Sequence, residues 1–329
     1  MKSLKFLLVL VLGLALVSCK SVEEEDSRPL VYASFYPIYD FTSKIAGDKV
    51  ELKQLVPQGQ EAHDYSPTTK DIVDLEKADL LVINESGMEG WAEDLKTSLR
   101  NDLRLVDSGE GLDLIEGHHH HHDEDAHEHG HDHDDHDHEH NHDDHNHDHN
   151  HGHDYGGTDP HTWTSPRCAM VQAENIKNAL VEIDPKNKDY YEENYEKFKK
   201  ELEDLDKAYE EAAEGFARKD LVISHEAFSY LARDYGLNQI GLEALIPESE
   251  PTPDKMAQVI DLIKDKGIKA IYYEYNGSNK TAQALAKESG AEVLALDTLE
   301  AVSYEDLEAG HDYISIMERN LEALKKGLN

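Results

Sequence analysis

The chain has 329 residues, of which 38% are hydrophobic and 31% are charged, and its formal net charge is −38 at pH 7. So large a negative charge excludes ordinary nucleic-acid binding, which requires clustered cations that release counterions from phosphates. A chain with two cysteines has no disulfide framework, but its length is sufficient for one large or two medium domains with a buried core.

The first residues have the pattern of an export signal. Two lysines precede an apolar run over 6–17, which is too short to span a bilayer as a mature helix. The run ends in Leu16-Val17-Ser18-Cys19, which resembles a bacterial lipobox, where the peptide is cut before the cysteine and the thiol receives lipid. We expect a signal peptide over 1–19, a lipid on Cys19 and a solvated tether over 20–28. A general secretory signal with a chance cysteine is the alternative.

Short apolar runs alternate with helical patterns from Pro29 onward, which predicts an α/β protein. In the first half the predicted strands are Leu30–Phe35, Val50–Val56, Asp79–Ile83 and Leu103–Val106, and the predicted helices are Tyr39–Ala46, Thr69–Lys77 and Trp91–Leu99. In the second half the strands are Leu221–Ser224, Gln239–Leu242, Ala270–Tyr273 and Val293–Leu296, and the helices are Phe228–Tyr235, Pro253–Lys266, Lys280–Ser289 and Asp312–Leu324. This repetition predicts two similar (βα)4-type lobes, over 29–183 and 217–329.

A long amphipathic helix is predicted between the two lobes, over 184–216. Its apolar positions recur at alternating spacings of 4 and 3 residues: Tyr191, Tyr195, Phe198, Leu202, Leu205, Tyr209, Ala212 and Phe216. Roughly 28 residues at 1.5 Å per residue reach about 40 Å, the breadth of a two-lobed protein. We therefore expect one rigid helix that packs along both lobes and limits hinge motion between them, with a coiled coil as the alternative.

Most histidines are concentrated in one segment. Of the 22 in the chain, 18 lie between His118 and His153, together with 12 carboxylates and no Lys or Arg. This composition cannot build a core, so we predict a disordered histidine-rich loop over 117–157. We interpret it as a low-affinity metal antenna, with a zinc sensor or a plain solvated charge run as alternatives. Its histidines are His118, His119, His120, His121, His122, His127, His129, His131, His133, His136, His138, His140, His142, His145, His147, His149, His151 and His153.

Three of the four remaining histidines occupy related positions. His63 follows a predicted strand of the first lobe, His225 directly follows a predicted strand of the second, and His161 lies in a turn-rich segment after the histidine-rich loop. Ligands of open α/β sheets bind beyond the carboxyl ends of the strands, so these histidines can meet in a cleft between the lobes. Three imidazoles and one carboxylate suit Zn²⁺.

Three carboxylates compete for the fourth position of such a site. Asp297 and Glu300 follow the last predicted strand, and Glu274 follows the strand before it. The residues by themselves leave the choice between them open. The fourth histidine, His311, precedes the C-terminal helical pattern and is interpreted as a solvated residue.

Six ordered motifs carry a family resemblance over Val31–Leu324, outside the histidine-rich loop. They are Glu61-Ala62-His63-Asp64-Tyr65, Gly87-Met88-Glu89-Gly90-Trp91, Asp159-Pro160-His161-Thr162-Trp163, Ser224-His225-Glu226-Ala227-Phe228, Pro247-Glu248-Ser249-Glu250-Pro251 and Leu299-Glu300. With them the chain resembles the zinc-specific solute-binding proteins of bacterial ABC importers, the ZnuA-like receptors. The resemblance implies two lobes joined by a rigid helix, with one metal in the cleft.

The resemblance also implies which residues hold that metal. By it His63, His161 and His225 are the nitrogen ligands, and Glu300 is the fourth ligand, with Asp297 as its rival. Zinc-type relatives often have Asn-Pro where this chain has Asp297-Thr298, which keeps that rivalry open. Manganese-type relatives typically have Glu where this chain has His225, and the third imidazole therefore favours zinc.

The expected function is capture and delivery of Zn²⁺, without catalysis. From the N-terminal signal pattern we expect an exported protein, at the outer face of the cytoplasmic membrane or in the periplasm, with membrane lipid as a partner through Cys19. We expect a monomer, and the resemblance implies an ABC permease as its other partner. Alternatives are a manganese receptor and a surface metal store or adhesin. A zinc hydrolase is disfavoured because the chain has no His-Glu-x-x-His pattern.

Overall fold

The computed structural model describes residues 28–63, 65–84, 87–98, 103–116, 157–242, 252–275 and 277–329. The predicted signal peptide with Cys19, the predicted tether up to residue 27, and all 18 histidines of the histidine-rich loop lie outside the described residues. Within the described part of the chain, no helix combines the length and the apolar character needed to cross a bilayer.

The first lobe is built on a parallel four-stranded sheet in the order β2-β1-β3-β4. The strands are β1 (Leu30–Ala33), β2 (Glu51–Gln54), β3 (Leu80–Ile83) and β4 (Arg104–Asp107), and the connecting helices are α1 (Tyr36–Ala46), α2 (Thr69–Leu75) and α3 (Trp91–Ser98). The central strands β1 and β3 are almost wholly apolar and buried, as expected for a parallel sheet covered on both faces. In the register, Val31 of β1 pairs with Leu52 of β2 and with Leu80 of β3.

Two long helices follow the histidine-rich loop, α4 (Pro166–Ile183) and α5 (Lys188–Gly215). The structure confirms α5 as one continuous helix of 28 residues, and it packs against α4 and against helices of both lobes. Its predicted stripe is buried, except that Ala213 takes the place expected for Ala212. Helix α4 was absent from the prediction, because its buried face consists largely of Ala, Cys and Gln and so has a weak apolar period.

The second lobe repeats the topology of the first, with strand order β6-β5-β7-β8. Its elements are β5 (Asp220–Ile223), α6 (Ser229–Tyr235), β6 (Asn238–Gly241), α7 (Pro253–Asp265), β7 (Ala270–Glu274), α8 (Lys280–Ser289), β8 (Glu292–Leu296), α9 (Tyr304–Glu308) and α10 (Tyr313–Leu328). All eight predicted strands are present, with ends that differ by at most two residues. The predicted α/β class with two similar lobes is confirmed.

The packing makes the two lobes one body behind the cleft. One apolar core extends from β1 through α4 and α5 to Leu328 at the end of α10, and a second, smaller core lies in the second lobe around Ile271. In each sheet the strand order reverses between the first and third strand along the chain, and such a reversal opens a crevice at the carboxyl ends of the strands. The loops at these ends are where the predicted site residues lie.

The first prediction concerns the buried stripe of α5. Replacing Leu202, which is fully buried, with alanine should lower the free energy of unfolding by about 2–5 kcal/mol, because it leaves a cavity in the shared core. Denaturant unfolding of metal-free protein would measure the change. The matched control is Glu203→Ala on the exposed face of the same helix, expected within about 0.5 kcal/mol of wild type. Equal effects of the two substitutions would contradict the packing described here.

Candidate metal centre

Four loops bring three histidines and one glutamate together. His63 lies in the loop after β2, and His161 lies just before a 3₁₀ turn that leads into α4. His225 comes two residues after β5, and Glu300 comes four residues after β8. One ligand atom of each residue can be chosen so that all four atoms lie within 4.8 Å of one another.

The distances between these atoms match the edges of a tetrahedron around one small cation. The Nε2 atom of His161 lies 3.0 Å from Nε2 of His63, 3.2 Å from Nε2 of His225 and 3.2 Å from Oε1 of Glu300. The other oxygen of Glu300 is 3.6 Å from Nε2 of His63. Zn²⁺ at roughly 2.0–2.1 Å from tetrahedral ligands places those ligands about 3.3 Å apart. The four side chains therefore fit one zinc ion.

Glu300 has the environment of a metal-binding carboxylate. Its exposed fraction is 2%, and its carboxylate oxygens lie 3.2 Å from Nε2 of His161 and 3.6 Å from Nε2 of His63. A buried carboxylate is costly unless positive charge compensates it. The imidazoles of His63 and His161 are neighbours that can carry positive charge, so positive charge is favoured at the centre of the cluster.

The orientation of His161 is fixed by its neighbours. Asp159 Oδ1 accepts hydrogen bonds from the backbone N–H of His161 at 2.9 Å and from its Nδ1 at 2.8 Å. This contact leaves Nε2 to face the other ligands, which is the arrangement of a carboxylate–histidine–metal triad. The segment around His161 is held by buried Asn84 at the end of β3, which donates to Pro160 O and accepts from the Thr162 hydroxyl.

The cluster binds protons in the absence of metal. Burial alone would lower the pKa of His161, but Asp159 and Glu300 outweigh it and raise that pKa to about 10. Burial tends to raise the pKa of Glu300, yet contact with His161 holds this pKa well below its usual range. Burial, together with the charge of Glu300, raises the pKa of Glu61 to about 9. A divalent cation would replace these protons, since bound metal requires deprotonated ligands.

The two rival carboxylates lie outside the group of four. Asp297 Oδ2 accepts a hydrogen bond from Arg319 at 2.8 Å, and its Oδ1 accepts the backbone N–H of Leu299. Glu274 accepts a hydrogen bond from the Thr298 hydroxyl at 2.7 Å. It lies near Glu300 in a second group that also includes Glu61, with one oxygen of each within 4.8 Å of the others. His311 is exposed and lies apart from both groups, beside Ser315.

Sequence reasoning did not assign roles to Asp159, Asn84, Glu61 or Trp163. A signal existed for Asp159, because an aspartate two residues before a candidate ligand histidine can orient its ring. Asn84 gave no such signal, since it is 77 residues away from His161 in the chain and meets it through the sheet.

The ends of the histidine-rich loop lie beside the cluster. Glu116 and Thr158 form an isolated bridge, and the backbone N–H of Asp159 donates to Ile115 O at 2.9 Å. The buried hydroxyl of Tyr230 donates to Asp159 O at 2.7 Å and accepts from the N–H of Ile115 at 3.1 Å. One residue of the second lobe thus holds both ends of the loop next to the aspartate that orients His161.

Comparison with known proteins identifies relatives over nearly the whole chain. A family model described as ZnuA, zinc-uptake complex component A, periplasmic, matches residues 31–327. The high-affinity zinc uptake system protein ZnuA of Bacillus subtilis (strain 168) is 37% identical over 309 residues, covering 94% of this chain and 90% of that protein. The zinc-binding lipoprotein AdcA of Streptococcus pneumoniae (strain R6) is 33% identical over 336 residues, 99% of this chain but 61% of AdcA, so the chain spans about three-fifths of that relative.

The fold has solved counterparts as well. The crystal structure of the Zn(II)-bound ZnuA-like domain of Streptococcus pneumoniae AdcA superposes with a TM-score of 0.75 at 31% identity. The match covers 92% of this chain and 99% of that domain.

The second prediction concerns the carboxylate that orients His161. Asp159→Asn should lower the pKa of His161 in metal-free protein, because it removes a negative charge that stabilises the imidazolium. It should also weaken Zn²⁺ binding by about 10- to 100-fold. NMR titration of the His161 ring and a competitive zinc titration measure the two effects. Asp184→Asn, a buried carboxylate bound to Tyr191, is the control and should change neither quantity. An unchanged His161 titration in Asp159→Asn would contradict the triad.

Proposed function

Because this chain belongs to the family of zinc-uptake complex component A, we propose that it captures Zn²⁺ and delivers it to an ABC permease. The chain is an extracytoplasmic zinc-binding receptor of zinc uptake and not an enzyme. The proposal includes a lipid anchor on Cys19, a monomeric state and a zinc-collecting role of the histidine-rich loop.

One observation carries this proposal: three imidazole Nε2 atoms and a buried carboxylate converge at distances that suit one tetrahedral zinc ion. We assign His63, His161, His225 and Glu300 as the ligands. Three nitrogen ligands favour zinc over manganese, because Mn²⁺ prefers more oxygen ligands.

The division of ligands between the lobes suggests how capture occurs. The first lobe supplies His63 and His161, and the second supplies His225 and Glu300. A hydrated zinc ion would exchange its waters for two ligands of each lobe and so link the two cleft faces. Since α5 and the shared core connect the lobes rigidly, we expect the accompanying movement to be confined to the loops. Docking on the permease would reverse these ligand exchanges.

The histidine-rich loop would act as an antenna for the cleft. Its carboxylates raise the local Zn²⁺ concentration, and its imidazoles form transient chelates that exchange rapidly. Support comes from the described ends of the loop, which Tyr230 holds next to Asp159, two residues before His161. Zinc released from the loop would therefore lie close to the tight site.

The third prediction tests the proposed function directly. A competitive zinc titration compares soluble protein starting at Lys20 with the same protein lacking 118–153. The deletion should keep one tight site. A nanomolar site corresponds to about 12 kcal/mol, so losing one of four ligands in His225→Ala should weaken zinc binding by about 100-fold in the deletion background. His311→Ala, the exposed histidine outside the cluster, is the control and should leave the affinity unchanged.

Two results would contradict the assignment. Loss of tight binding on deletion of 118–153 would make the loop the main metal store and remove the cleft as the receptor site. Equal affinities of His225→Ala and His311→Ala would show that His225 is not a ligand.

The fourth prediction concerns pH. The pKa of His161 is about 10, so zinc must displace at least one proton at any pH below that value. Each unit by which pH falls should then weaken zinc binding by at least about tenfold, and so by at least about 100-fold between pH 7.5 and pH 5.5. Isothermal titration calorimetry in buffers of different ionisation enthalpy would count the released protons. An affinity independent of pH in this interval would contradict imidazole ligation.

A further inference from the structure

The turn that carries Glu300 has a strained backbone. Leu299 has φ = +62° and is the one non-glycine residue with positive φ among the described residues. Its side chain is fully buried. A bulky residue adopts this conformation only where surrounding contacts impose it, and such strain is concentrated at functional sites.

Contacts on both sides of Leu299 impose the turn. On one side, Asp297 Oδ1 accepts the Leu299 N–H at 2.8 Å, while Arg319 holds the other oxygen of Asp297 at 2.8 Å. On the other side, the indole Nε1–H of Trp163 donates to the carbonyl of Thr298 at 2.7 Å, in a buried hydrogen bond. The peptide group immediately before the strained residue is therefore held by a side chain from another part of the chain.

Trp163 is also joined to the first-lobe ligand. It lies two residues after His161, with the ring centroids 5.4 Å apart, and it is fully buried. Its position is fixed by an edge contact with Phe35, at 4.8 Å between centroids, and by the Tyr313 hydroxyl, which donates to its carbonyl at 2.7 Å. One rigid side chain thus connects the segment of His161 with the turn of Glu300.

We propose that Trp163 is a positioning residue for zinc binding, which holds the strained Thr298–Leu299 peptide so that Glu300 faces the histidines. This inference rests on the proposed function, because it takes Glu300 as a zinc ligand. The indole touches no metal, and its effect on zinc passes through Glu300. Because the hydrogen bond sets the ligand before the ion arrives, its loss should reduce preorganisation and therefore affinity.

The fifth prediction follows from that hydrogen bond. Trp163→Phe keeps an aromatic ring but removes the N–H, so the Thr298 carbonyl loses its donor, and zinc affinity should fall by about 5- to 30-fold. The control is Tyr209→Phe, which removes a buried hydroxyl that donates to Met317 O at 2.7 Å, away from the cluster. It should be destabilised to a similar extent, with zinc affinity equal to that of wild type.

A double-mutant cycle separates positioning from a general structural effect. If Trp163 acts through Glu300, Trp163→Phe should have no further effect on zinc affinity in a Glu300→Ala background. The visible spectrum of bound Co²⁺, which reports coordination geometry, should change in the same direction in Trp163→Phe and in Glu300→Ala. Wild-type affinity in Trp163→Phe, or an equal loss in both backgrounds, would overturn the proposal. No effect of Glu300→Ala itself would instead show that the ligand assignment had failed.

A measurement without any change at Trp163 keeps the proposal testable if Trp163→Phe does not fold. The chain has two tryptophans, so Trp91→Phe leaves Trp163 as the sole indole emitter. Saturating zinc should shift its emission in this protein, and Glu300→Ala should reduce that shift more than His225→Ala does, because Glu300 is joined to the indole through the Thr298–Leu299 peptide. An equal reduction of the shift in the two variants would overturn the proposal.

Discussion

A buried carboxylate surrounded by imidazoles is the constraint on which the rest of this structure depends. Glu300 is removed from water beside the imidazoles of His63 and His161, and a buried negative charge requires a positive neighbour. Without metal, protonated His161 supplies that charge, because Asp159 and Glu300 raise the pKa of its imidazole. With metal, the cation supplies it. A proton and a metal cation would thus meet the same electrostatic need of the cluster.

The two-lobed architecture places loops of both sheets around this carboxylate. The two sheets have the same strand order, and each presents loops at the carboxyl ends of its strands. Two copies of one topology therefore enclose a site from two sides. A continuous core and the 28-residue helix α5 hold the lobes in a fixed relation. The scaffold provides the position of the cleft, and short loops carry the four candidate ligands.

Local patterns were sufficient for most of the fold, but not for its long-range contacts. Strands β1 and β3 were predictable because short apolar runs bounded by turn residues are typical of buried strands. Helix α5 was predictable because its apolar stripe repeats over 28 residues. Helix α4 was not predicted because Ala, Cys and Gln occupy most of its buried positions. Helix α9 was not predicted because its five residues are too few to show a helical period.

Spacing and family resemblance indicated the three histidines and Glu300, yet the residues alone could not separate Glu300 from Asp297. That distinction depends on Arg319 and Asn320, which lie more than 20 residues further along the chain and engage the side chain and backbone of Asp297. The left-handed Leu299 is likewise invisible in the sequence, because nothing marks a leucine for positive φ.

In the proposed function, that strained turn bears on the release of zinc as well as on its capture. A zinc receptor must bind the ion and later release it. Moving a ligand on an unstrained element away from zinc would cost the full energy of its bond to the ion. Glu300 follows a residue whose backbone strain is on the order of 1–2 kcal/mol, so relaxing Leu299 offsets part of the cost of moving Glu300 away from zinc. The Trp163–Thr298 hydrogen bond opposes this relaxation while the lobes are in contact. Any partner that loosened the second-lobe loop would remove that opposition, and the strain would then favour release.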